Sequence, residues 1–198
     1  MNFLAHIYLS GENDQVKVGN FIGDWIKGND HRKYPTDIQK GILLHRSIDS
    51  FTDNHPIVKK SKNRLNEKYH KYSGIIIDIF YDHYLAHNWK VFSEIELVDF
   101  TRNLNSCLIS NMEFLPMDIQ EFIPRFMKRH WIESYATLEG IERVLEGMSK
   151  HTSLPDKTAY AIEILKNEYE DLKTEFFDFF PQLVAHVEEK FQVGIKLL

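Results

Sequence analysis

The chain has 198 residues, 43% hydrophobic and 27% charged, with a formal net charge of -5. That length and balance suit one substantial domain with a sizeable core, and argue against extensive disorder or a general nucleic-acid binder. A single cysteine, Cys107, excludes an intrachain disulfide and a thiolate metal cluster, and fits a reducing cytoplasm.

The opening MNFLAHIYLSGEND lacks a basic leader and is interrupted by His6, so it does not read as a signal peptide. No segment approaches the roughly 18 apolar residues of a membrane span. Next comes GNFIGDWIKGN, which sets Asp24 among Ile22, Trp25 and Ile26, with glycines at 19, 23 and 28 that permit close approach of backbone or ligand. From Pro35, Thr36 and Gln39 have capping-box spacing, and Ile38, Ile42, Leu44, Ile48 and Phe51 follow as an apolar stripe.

Within that helix the stretch HRSIDSFTDNHP, residues 45 to 56, places His45 and Asp49 four apart, hence on one face. Asp53 and Asn54 are expected to turn the chain, His55 to cap or lie exposed, and Pro56 to open the next helix. That helix is basic: Lys59, Lys60, Lys62, Arg64, Lys68 and Lys71 face a lone Glu67. Such a run is either a solvated face or a docking surface for an acidic partner.

SGIIIDIFYDHYLAHNW, residues 73 to 89, has strand-like isoleucines but no alternation, and its length predicts a largely buried helix. Ser93 with Glu96, and Asp118 with Glu121, repeat the cap spacing, and Arg125, Lys128, Arg129 and His130 form a second basic patch. Cys107, in the apolar LNSCLIS, reads as a buried structural thiol. Ser153, followed by Pro155 and Asp156, opens a long helical segment that Pro181 should end or kink. The predicted fold is all-α, a single compact multi-helix domain over residues 1–198.

Polar anomalies carry the chemistry. Asp78, Asp82, His83 and His87 interrupt the buried helix, and burying carboxylates demands pairing, hydrogen bonds or a metal. With His6, Asp24, His45 and Asp49 they form a set that is either a structural polar network or a metal site. Imidazole and carboxylate without thiolate suit Mn²⁺, Mg²⁺, Fe²⁺ or Zn²⁺, ions that promote phosphoester hydrolysis. No Walker loop, GxSxG elbow, HExxH or dinucleotide fingerprint is present, and Ser47, Ser50 and Thr52 beside His45 make only a weak nucleophile motif.

MNFLAHIYLS, GNFIGDWIKGN, GILLHRSIDSFTDNHP and IDIFYDHYLAHNW, in that order, resemble signatures of the acyl carrier protein phosphodiesterase family, with support from WIESYATLEGIERVLEGM and FFDFFPQL. The resemblance runs from Met1 to about Phe191. It implies an all-helical, HD-phosphohydrolase-like enzyme, dependent on a divalent ion (manganese best), that removes 4′-phosphopantetheine from holo-acyl carrier protein. It also implies Asp24, Asp82, His83 and His45 as foremost metal ligands, then Asp49, Asp78 and His6, with Asp53 in the adjoining motif. Asp24, His45 and Asp49 would assist catalysis, and Arg46 would be a phosphate clamp or else a helix-surface salt bridge.

One departure stands out: the adjacent pair reads Asp82-His83, reversed from the HD order. The carrier is small and acidic, so the basic segment Lys59 to Lys71 would dock it; no nucleic acid or membrane is expected as partner. Two other readings remain. One is a phosphohydrolase of nucleotides or other small phosphodiesters; the other is a non-catalytic carrier-binding module.

Overall fold

Prolines and glycines, more than the predicted caps, set where the helices begin and where they touch. A computed structural model describes residues 1–195. In chain order the helices are α1 (Phe3–Tyr8), α2 (Asp14–Phe21), α3 (Thr36–Asn54), α4 (Pro56–Asn63), α5 (Asn66–Tyr69) and α6 (Ser73–His87). They continue with α7 (Leu97–Ser110), α8 (Met117–Lys128), α9 (Trp131–Ser134), α10 (Leu138–His151), α11 (Thr158–Asn167) and α12 (Tyr169–Phe191). There is no strand among the described residues, and the whole forms a single helical domain.

α3 and α8 each follow a proline directly, Pro35 at φ -55° and Pro116 at φ -54°, whose fixed torsion turns the chain into the helix. The Thr36–Gln39 box therefore does not form, and Gln39 instead donates to the Tyr34 carbonyl. Asp118 likewise falls one residue inside α8, and α7 begins after Glu96 with no side-chain cap. Pro181 lies within α12 without ending it, and the break in that long segment comes earlier, at Glu168. His55 accepts from the Ile57 amide and so caps α4, with Pro56 first in the helix.

α6 is the central helix. Ile76, Ile77, Ile79, Phe80, Tyr84 and Leu85 are all buried, so it is apolar on nearly every side, and it packs on α1, α4, α10 and α12. Cys107 is buried too, and burial pushes its thiol up to about 12.

Two contacts position the functional region. α2 and α3 meet backbone to backbone: a Cβ at Gly19 would lie 2.1 Å from the Ile38 carbonyl oxygen, and one at Gly41 2.2 Å from that of Val16. α4 is tied to α12 by the buried Glu175, which accepts from Ser61 at 2.6 Å, from Arg64 at 2.7 and 2.9 Å, and pairs with Lys60 at 2.9 Å.

Candidate metal centre and cleft

α1 brings His6, and α3 brings His45 and Asp49, to the base of a cleft of about 580 Å³. The turn after α2 adds Asp24. The two imidazole rings stack at 4.1 Å, nearly parallel at 19°. His6 Nε2 is 3.2 Å from Asp49 Oδ1, and His45 Nε2 is 3.1 Å from Asp49 Oδ2 and 3.3 Å from Asp24 Oδ1. Gly23 makes room for this arrangement, since a Cβ there would sit 2.2 Å from the His45 ring.

Asn20 fixes the tautomers. Its amide nitrogen donates to the His6 carbonyl at 2.7 Å and to Ser10 Oγ at 2.9 Å, so its Oδ1 must accept from His6 Nδ1 at 2.8 Å. The Asn20 carbonyl accepts from His45 Nδ1 at 2.8 Å. Both Nε2 atoms therefore turn to the carboxylates, with the other ring nitrogen held by a neutral acceptor, as in imidazoles that serve as metal ligands.

Charge follows the geometry. Burial pushes His6 down, reinforced by the charge of His45. Burial also opposes charge on His45, yet the Asp24 and Asp49 carboxylates hold its pKa up at about 9. Asp49 lies well below the carboxylate range because the two imidazoles outweigh its burial, and Asp24 is lowered by His45. His45 Nε2 is buried and aligned for no hydrogen bond despite its near carboxylates. One ligand atom each from His6, His45 and Asp49 falls within 4.8 Å of the others. Two nitrogens and carboxylate oxygens at that spacing fit a hard or borderline divalent ion.

The other predicted residues divide. Asp78 lines the same cleft, where it pairs with the Met1 amino group at 2.9 Å. Asp82 is not brought to the cluster. Fully buried, it accepts from the backbone amides of Asn2, Leu4 and Ala5 at 3.2, 2.8 and 3.4 Å, and so caps α1. Burial raises its pKa to about 7.

His83 turns away as well: Nδ1 donates to the Tyr135 carbonyl at 2.7 Å and Nε2 meets Tyr169 Oη at 2.9 Å, leaving no free nitrogen. Burial lowers its pKa to about 4. His87 lies beside it, exposed, at a separate shallow groove. The reversed Asp82-His83 pair is thus distant in role from the His6–His45–Asp49 group. Arg46 donates to the carbonyls of Ile26 and Gly28 at 2.7 and 2.9 Å, which pins the turn that carries Asp24 onto α3, and it makes no salt bridge among the described residues.

Asn20 is the residue that sequence reasoning passed over. A wholly buried asparagine between Gly19 and Phe21, four residues before Asp24, is its only sequence signal.

Fold and cleft together define a helical protein in which two buried imidazoles meet solvent-exposed carboxylates at a cleft. The acyl carrier protein phosphodiesterase family model matches residues 1–183, and the chain belongs to that family. Relatives carrying the same family name include proteins of Yersinia pestis (30% identical, covering 96% of this chain and 99% of the relative) and Enterobacter sp. strain 638 (31%, with the same coverage). The relative from Photorhabdus laumondii is 30% identical and covers 96% of each chain. No solved structure matches. Among the described residues no helix is long and apolar enough to cross a membrane.

Proposed function

We propose that this chain hydrolyses the phosphodiester that joins 4′-phosphopantetheine to the serine of holo-acyl carrier protein, releasing apo carrier and free phosphopantetheine. The observation that carries the reading is the convergence of His6 and His45 Nε2 on Asp49, their Nδ1 atoms held through Asn20, in a family member. His6, His45, Asp49 and Asp24 would hold a divalent cation, manganese foremost. Such an ion, when bound, supplies positive charge for a phosphoryl oxygen and acidifies water. With each Nδ1 held by Asn20 and each Nε2 turned to the cation, His45 would be no free base. Asp24, with a side chain 71% exposed on its turn, is the carboxylate placed to orient a water and accept its proton. The cleft volume suits a slender prosthetic arm, within the usual 300–1,000 Å³ range for ligand pockets.

Purified protein with manganese and holo-carrier should convert the carrier to the apo mass. The product should be absent with chelator or with Asp24→Ala. Folded, metal-loaded protein that leaves the carrier intact but cleaves a nucleotide would replace this reading with the small-phosphodiester one.

We place the carrier's docking face on part of the predicted basic segment. Lys60 and Arg64 are held by Glu175, and Lys62 enters the cleft, whereas Lys59 and Lys68 are exposed with no ion pair among the described residues, Lys68 Nζ lying 4.3 Å over the Tyr160 ring. The Arg125–His130 patch is exposed at the end of α8 on other elements. Reversing charge at Lys59 and Lys68 together should raise KM for the carrier about 10-fold at low salt with kcat unchanged, and the difference should shrink near 0.5 M salt as screening shortens. An unchanged KM at low salt removes Lys59 of α4 and Lys68 of α5 from the docking face.

A further inference from the structure

We propose that Lys62 is the residue of this cleft that binds the substrate's phosphate, a role that rests on the reaction proposed above. It is not an ordinary surface lysine. Its side chain is only 19% exposed, and Nζ lies 2.6 Å from Asp53 Oδ1. Asp53 follows Asp49 by four residues on α3, so the two carboxylates share one face about one helical turn, roughly 5 Å, apart, with the ammonium on Asp53. A phosphodiester spans that separation, with one oxygen toward the group and another toward Lys62.

The first turn of α6 is shaped around this side chain. A Cβ at Gly74 would approach Lys62 Cε to 3.2 Å and Nζ to 3.3 Å, tighter than most real contacts, so glycine leaves the ammonium its place. Thr52, buried on the same wall between Asp49 and Asp53, has a hydroxyl with no hydrogen-bond partner. An anion needs such help here, because Asp24, Asp49, Asp53 and Asp78 line the cleft and repel it, and of its other cations the Met1 amino group is taken by Asp78 and Lys71 lies exposed. Arg46, the guanidinium nearest Asp49 in sequence, is committed to backbone carbonyls, and Arg64, nearest Lys62, to Glu168 and Glu175. Asp53, 67% exposed, is the partner a phosphate oxygen would join or displace, since water can take over its solvation cheaply.

Lys62→Met and Lys62→Arg are compared with wild type in two measurements: carrier hydrolysis, and binding of inorganic phosphate to the metal-free protein by calorimetry. Lys62→Met should melt as wild type does, because the carboxylate it leaves unpaired is exposed. It should lose about 10- to 100-fold in both kcat/KM and phosphate affinity, the size of one charge-assisted hydrogen bond, with Lys62→Arg recovering part of each. Equal phosphate affinity in Lys62→Met and wild type, or no binding by either, overturns the assignment. Wild-type protein that is inert on holo-carrier but binds phosphate through Lys62 refutes the proposed reaction and keeps the phosphate site. An active enzyme indifferent to Lys62→Met refutes the site and keeps the reaction.

Discussion

Asp49→Ala should abolish both metal retention and turnover while leaving the fold in place. Among the described residues Asp49 is the carboxylate that meets both imidazoles, at 3.2 and 3.1 Å, so its removal strips the negative charge shared by His6 and His45 Nε2. Loss of a partner that merely orients a ligand costs about 10- to 100-fold. Loss of a shared ligand should exceed this, by about 10³-fold or more in kcat/KM. The fold should tolerate it, because the Asp49 side chain is 40% exposed and no buried backbone group depends on it. Metal content after manganese loading and gel filtration, together with carrier conversion, provides the check. A variant with full metal content and full turnover would remove Asp49 from the centre and leave the cluster as a structural network.

Much of this site was legible because each member breaks an apolar pattern. His6, Asp24, His45 and Asp49 do so in the sequence, and the i, i+4 spacing of the last two survives unchanged in α3. The same signal took in Asp82 and His83, which the structure pairs with other partners. A buried carboxylate must be satisfied, but the pattern does not say by what, and Asp82 is satisfied by amides 77 to 80 residues away. His83 is likewise answered by Tyr135 and Tyr169, on elements that local periodicity does not connect to α6.

Lys62 shows the opposite failure. In the sequence it is one of a basic run, and only the meeting of α4 with α3 and Gly74 separates it from its exposed neighbours. The all-α architecture was readable from period and length, whereas helix starts were misjudged where a proline torsion outcompeted a side-chain cap.

Asp82→Ala should therefore behave unlike Asp49→Ala, and the contrast separates scaffold from site. Its carboxylate accepts three amides at the start of α1, a six-residue helix too short to hold its own first turn. Truncation leaves those amides buried and unmet, a cost of about 3 kcal/mol, or roughly 6–12 °C in Tm for a chain of this size. Because α1 carries His6, metal affinity should fall as a consequence, and it should recover at low temperature where the helix re-forms.

pH gives an independent check. Asp82 has a folded pKa near 7, above its ordinary value, because it is buried. The folded chain thus keeps a proton that the unfolded chain has released. This contribution is present in full below about pH 4 and is lost as pH rises through 7. The difference in Tm between wild type and Asp82→Ala should follow this slope across that range, because the opposing slope from His83, lowered to about 4, is common to both. If Asp82→Ala instead melts as the wild type does yet binds no metal at any temperature, its carboxylate belongs to the cation and not to α1. The separation of capping residue from metal centre would then be wrong.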